Sequence, residues 1–139
     1  MFKFILVLLL LGGLGLLGYI RFAPSDPDEW NVDPKVTADQ DLANGVRRRI
    51  DGDADTLAAL DRIILATPRS ELLAGSVADG RITYITRTKW MGYPDYTTLQ
   101  LNDGMIELWA RSRFGKSDMG VNRARVEGWL QELAQARGE

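Results

Sequence analysis

The densest collection of chemically capable side chains is the sixteen-residue run Arg111-Ser112-Arg113-Phe114-Gly115-Lys116-Ser117-Asp118-Met119-Gly120-Val121-Asn122-Arg123-Ala124-Arg125-Val126, in which five residues are basic and one is acidic. A glycine-rich loop that hands a strand to a helix leaves the first N–H groups of that helix unpaired, and with the helix dipole they attract an anion. Arg111, Arg113, Lys116 and Arg123 would complete such a cradle, with Ser117, Asn122 and Arg125 in the same segment, for a carboxylate, phosphate or sulfated headgroup. The competing reading uses the same residues structurally. Asp118 or Asn122 caps the helix, Asp118 pairs with an arginine, and Gly115 and Gly120 satisfy turn geometry. Asp95, after Pro94, can also reach an arginine of the segment and so join two distant stretches into one polar cluster.

Other chemistries fare worse. The 139 residues contain neither His nor Cys, which removes His-based triads, thiolate nucleophiles, disulfides and the commonest metal ligands. No cofactor or metal is implied. Ser112 or Ser117 beside Lys116 can imitate a Ser–Lys dyad, and Asp95 with Asp118 a carboxylate pair, but nothing in the spacing demands that the members meet. Ala110 followed by Gly115-Lys116-Ser117 fits a loosened phosphate-loop pattern, yet the first Gly and a parallel βα context are missing. Asp51, Asp53 and Asp55 resemble the start of a calcium loop without its later Gly and Glu, so helix capping is the better use for them. Seventeen basic against nineteen acidic residues give a net charge of −2, which argues against a nucleic-acid partner.

These residues must be positioned by about 115 residues, because the first 22 are too apolar to belong to a soluble core. Phe4 to Ile20 carries no charge, and a helix from Phe2 to Phe22 would be about 31 Å long against a hydrocarbon core of about 30 Å. The run ends in Tyr19-Ile20-Arg21-Phe22 rather than in small residues, so residues 1–22 read as an uncleaved transmembrane signal anchor. Lys3 and the terminal amine against Arg21 favour a cytoplasmic N-terminus, with the rest of the chain in the periplasm of a bacterium. Gly12, Gly15 and Gly18 lack the spacing of a dimerising pair. Residues 23–40, with Pro24, Pro27 and Pro34 among aspartates, read as an extended linker.

In residues 41–139 the pattern predicts an α+β two-layer sandwich, helix–four strands–helix, with a mostly antiparallel sheet. Asp53 or Asp55 caps a helix running to about Ala66, with Leu57, Leu60, Ile63 and Ile64 on one face. Four strands follow at about Ser70–Val77, Ile82–Thr88, Tyr96–Leu101 and Met105–Ser112, joined in pairs by Ala78-Asp79-Gly80 and Asn102-Asp103-Gly104. Ile106, Leu108 and Ala110 alternate with Glu107, Trp109 and Arg111, so one sheet face is core and the other is expected to be polar. Val126, Trp129, Leu130 and Leu133 mark a closing helix from about Asn122 to Ala136. Trp90, Tyr93, Tyr96 and Trp109 offer an aromatic face for a glycan or lipid, with core and sheet packing as the default. Arg47, Arg48 and Arg49 read as a solvated strand or loop rather than a lipid contact.

The run from Arg111 to Val126 resembles the signature of a bacterial family, domain of unknown function 1499, of the type Arg-Ser-Arg-x-Gly-x-Ser-Asp-x-Gly-x-Asn-x-x-Arg-Val. It matches at every specified position. Met91-Gly92-Tyr93-Pro94-Asp95-Tyr96 is similar to the family's Gly-Phe-Pro-Asp element, with Tyr93 where Phe is usual. The resemblance covers roughly Asp41 to the C-terminus and implies a membrane helix or signal ahead of the domain; it implies no activity. The leading functional expectation is therefore a non-catalytic inner-membrane protein, single-pass, that binds an anionic small molecule or an envelope protein through Arg111–Arg125. Two alternatives stay open: a small envelope hydrolase using Ser117, Lys116 and Asp118, and a polar cluster that is purely structural.

Overall fold

The computed structural model describes all 139 residues. Helix α1 runs over Phe2–Phe22, and Ile20 is its one buried residue. With no polar face to turn toward water and no packing along its length, it is a helix of membrane-spanning dimensions attached to the domain by its last turn. That last turn is firmly seated. The Tyr19 ring meets Phe114 edge-on at 6.2 Å, and the Arg21 side chain lies against Gly92.

A four-residue helical turn, α2 (Pro27–Trp30), follows, with Asp26 as its cap and Pro27 in its first turn. The stretch expected to be an extended linker instead lies across one face of the sheet as a strap. Ser25 Oγ is 2.6 Å from the Tyr96 hydroxyl, Trp30 stacks on Tyr96 with ring centroids 3.9 Å apart, and Thr83 Oγ1 donates to Asn31 Oδ1 at 2.9 Å. Further along, Gln100 Nε2 donates to Asp33 Oδ1 at 3.2 Å, Val36 is buried, and Arg49 Nη1 donates to the Thr37 carbonyl at 3.1 Å.

The sheet has six strands rather than four: β1 (Gln40–Leu42), β2 (Gly45–Asp51), β3 (Ser70–Ser76), β4 (Arg81–Arg87), β5 (Pro94–Asn102) and β6 (Met105–Ser112). Their order is β1-β2-β6-β5-β4-β3 and every pairing is antiparallel. The β5–β6 hairpin turns through Asp103 (φ 50°) and Gly104 (φ 77°), the two left-handed residues that a tight turn between right-twisted strands requires. Strand β2 escapes the alternation test because the inward sequence Val46, Arg48, Ile50 has a charge at its centre. Arg48 sits at the edge of the helix layer, where its Nη2 reaches Asp41 at 2.8 Å and Glu127 at 3.7 Å.

Helices α3 (Ala54–Ala66) and α4 (Val121–Ala136) cover the inner face. Asp53 caps α3 in a reciprocal box: its Oδ1 accepts from Thr56 N at 3.0 Å while Thr56 Oγ1 accepts from Asp53 N at 3.3 Å. Leu57, Leu60 and Ile64 of α3 and Val126, Trp129 and Leu133 of α4 pack on Val46, Ile82, Tyr84, Leu99, Ile106, Leu108 and Ala110 of the sheet. The fold is thus the expected α+β sandwich, with two additional strands on one edge and a strap on the outer face.

Candidate functional site

Asp95 and Ser112 are cross-strand partners at the end of the sheet nearest α1. Asp95 is only 2% exposed, and Arg125 Nη1 donates to its Oδ2 at 3.1 Å. The same Arg125 nitrogen donates to Asn122 Oδ1 at 3.1 Å, and Asn122 Nδ2 donates to Asp118 Oδ2 at 2.8 Å and Ser112 Oγ at 3.2 Å. Asn122 is fully buried, so this cluster is a continuous, satisfied polar network. The two stretches singled out by the sequence therefore meet, through Asp95 and Arg125. Burial pushes the Asp95 carboxyl above its ordinary value of 3.8, against the opposing pull of Arg125 and Ser112.

The start of α4 already holds an anion, and it is Asp118. Its Oδ1 accepts from Gly120 N at 2.9 Å and its Oδ2 from Asn122 N at 3.1 Å. Met119 (φ 53°) and Gly120 (φ 78°) take left-handed conformations so that the chain can fold back onto the carboxylate. The loop is moored to the β1–β2 turn by Asp118 N to the Ala43 carbonyl at 3.1 Å and Ser112 N to the Asn44 carbonyl at 2.9 Å.

The basic residues of the segment do not converge on that position. Arg111 points to the outer face, 4% exposed, between Trp109 and Trp30, with its guanidinium carbon 4.1 and 5.4 Å from their ring centroids. Arg113 Nη1 donates to the Pro24 carbonyl at 2.9 Å, holding the strap. Arg123 pairs with Glu127 at 3.0 Å and Asp41 at 3.4 Å, and Arg125 is engaged by Asp95. Lys116 is exposed and makes no ion pair. Arg111, Arg113, Arg123 and Arg125 each donate to a different protein acceptor and Lys116 stands apart and exposed, so the five form no common cradle.

Catalytic geometry is also not assembled at Ser117. Its Oγ accepts from Met119 N at 3.2 Å as part of the turn, and no hydrogen bond joins it to Lys116 or Asp118. A nucleophile needs a base in hydrogen-bond reach.

What the arrangement does create is a pocket of about 460 Å³ between the two stretches. Tyr93, Phe114, Met119 and Ile20 of α1 give it apolar walls, while Asp95, Ser112 and Asp118 put polar atoms on one side. No basic residue lines it. A concave, mostly apolar space with a few convergent polar groups is the usual form of a small-molecule site. Ile20 and Phe114 lay outside the candidate residues, since the sequence gives no hint that the end of α1 turns back against the signature loop.

Fold and cluster together define a class: an antiparallel α+β sandwich behind a helix of membrane-spanning length, with a closing-helix cap built from an Arg-Ser-Arg…Ser-Asp…Asn…Arg-Val run. The model of the protein family of unknown function DUF1499 matches residues 22–133, and the chain belongs to that family. The match begins at the end of α1 and so includes the strap as well as the sheet and helices. Among curated proteins no match to the chain is found.

Proposed function

We propose that this DUF1499 chain is a single-pass protein of a bacterial inner membrane, held by α1 with its domain in the periplasm, that binds an amphiphilic molecule without catalysis. The 21-residue apolar helix α1, of membrane-spanning length, supports the anchoring. The observation that carries the binding reading is the composition of the pocket: apolar walls shared between the signature loop and the anchor, and a polar side made by Asp95, Ser112 and Asp118.

This reading departs from a ligand that is anionic. An anion there would meet the Asp118 carboxylate and an Asp95 carboxyl that already takes up Arg125, while Arg113 and Arg123 donate to partners outside the pocket. A ligand with an apolar body and a neutral or cationic polar end fits the lining better. The polar network behind the pocket wall then has a structural role, fixing the wall on which the ligand rests.

The test uses the full chain in a mild detergent, with native mass spectrometry for retained amphiphiles and a thermal-shift series against lipids and amines. Ser117→Trp, at an exposed lining position, fills the pocket without touching the core. A ligand at one hundred times its dissociation constant adds about 2.7 kcal/mol, so the parent should melt later and the variant should not respond. Equal responses from both chains would place binding elsewhere, and no retained or stabilising amphiphile would sink the reading.

A further inference from the structure

Of the four tryptophans, Trp129 is buried, Trp30 and Trp109 are half-buried, and Trp90 is 83% exposed. The loop that presents Trp90 is an ordered one. Thr88 N donates to the Tyr93 carbonyl at 3.0 Å, Tyr93 N to Thr88 Oγ1 at 2.9 Å, and Arg87 Nη1 to the Gly92 carbonyl at 3.1 Å. A turn closed this tightly holds Trp90 and Met91 outward rather than leaving them to find cover in the domain. Beside it the signature loop presents Met119, 95% exposed.

Both loops flank the last turn of α1. Gly92 lies against Arg21, Phe114 against Tyr19, and Ile20 and Met119 share the pocket between the loops. The domain therefore reaches back beside residues 19–21 instead of starting beyond the helix. Because α1 is about as long as the hydrocarbon core is thick, its last turn falls at the headgroup boundary when it spans. The side chains placed there are the types suited to that boundary: an indole and a thioether, with Lys89 5.2 Å from the Trp90 ring centroid and Lys116 and Arg21 free of ion pairs.

We propose that loops 88–93 and 114–120 form a second membrane-contacting element, seating Trp90 and Met119 in the lipid interface beside the end of α1, so that the pocket mouth opens at the bilayer surface. The inference rests on the reading of α1 as a membrane span, and the test separates the two. The chain has no cysteine, so Met119→Cys and Asp79→Cys each give one labelling site in the full chain. Asp79 is exposed in the β3–β4 turn, at the opposite end of β4 from the Trp90 loop.

The labelled chains are reconstituted in vesicles of phosphatidylcholine and phosphatidylglycerol, and a nitroxide at each site is relaxed by oxygen or by a water-soluble nickel chelate. Flotation with the vesicles reports the anchor. With the anchor in place, the label at 119 should favour oxygen and the label at 79 nickel. Lipids brominated near the glycerol should quench an emission component that Trp90→Phe lacks. If the chain floats but the label at 119 behaves like that at 79, or is shielded from both relaxants by protein, the lipid contact is overturned. Equal bromine quenching of parent and Trp90→Phe would overturn it too, while a chain that does not float removes the anchor reading beneath it.

Discussion

Arg111 donates from Nη2 to the Trp30 carbonyl at 2.7 Å, a bond across 81 residues that ties the strap to the last strand of the sheet. Nη1 donates to Thr98 Oγ1 at 2.8 Å and to the Trp109 carbonyl at 3.2 Å, and no carboxylate lies within ion-pairing distance. Burial lowers its pKa to about 10, which still leaves a cation at neutral pH. The charge is held by carbonyl and hydroxyl dipoles and by two indole faces, the arrangement for which a guanidinium is suited and an ammonium is not.

Trp30→Ala removes one of those faces, the stack on Tyr96 and much of the strap's apolar contact. Complete loss of a buried Trp costs about 3–5 kcal/mol; Trp30 is half-buried, so urea unfolding should show a loss of about 2–3 kcal/mol. Arg111→Lys should also destabilise, because one ammonium cannot reach the three acceptors and stack as well. A Trp30→Ala chain with an unchanged midpoint would mean that the strap is held independently of the indole.

At the start of α4 the two Asp118 oxygens accept from separate backbone N–H groups, so the side-chain amide of Asn can replace one of them but not both. The expected stability order is Asp118, then Asn, then Ala, with Asp118→Ala lower by about 1–2 kcal/mol. If an external anion had used this site, Asp118→Ala would instead open it, and phosphate or sulfate would stabilise the variant. Thermal unfolding of the three chains with and without phosphate distinguishes these outcomes.

The Asp95 carboxyl sits above its ordinary value of 3.8 in the folded chain, with burial the largest cause. Between 3.8 and the raised value the folded state therefore binds more protons than the unfolded one, and stability falls as pH rises through that window. Measured as the difference between the parent and Asp95→Asn, the contribution of the carboxyl should be greatest below pH 3.8 and decline above it to a plateau. A difference that grows with pH would show the Arg125 pairing outweighing the cost of burial.

Much of this arrangement is legible in the residues, for identifiable reasons. The alternation of Ile106, Leu108 and Ala110 and the Asn102-Asp103-Gly104 turn are local signals, and local signals survive folding. The expectation that Asp95 reaches an arginine of the segment is met by Arg125, because β5 begins at Pro94, two residues before the expected start, and so sets Asp95 opposite Ser112. Strand β2 was missed because Arg48 interrupts its inner face, although Asn44-Gly45 stood before it as a hairpin signal. The strap was missed for a deeper reason. Its contacts, Trp30 on Tyr96 and Asn31 with Thr83, are long-range pairings of a prolyl, acidic stretch that has no periodicity of its own.

The strap leads to a prediction about where the folding unit begins. A piece starting at Asp41 would keep all six strands except the first residue of β1, yet it would uncover Tyr96 and Thr98, both buried, and strip Arg111 of its Trp30 partners. The guanidinium and the hydroxyls can be rehydrated, but the Tyr96 ring on which Trp30 stacks would become exposed apolar surface at the centre of the sheet. A piece comprising residues 23–139 retains the strap bonds from Pro24 to Thr37. The longer piece should unfold in one cooperative urea transition, while 41–139 should bind a hydrophobic dye and unfold at lower urea with a smaller slope. Equal midpoints and slopes would mean that the sheet and two helices are self-sufficient and that the strap only rests on them.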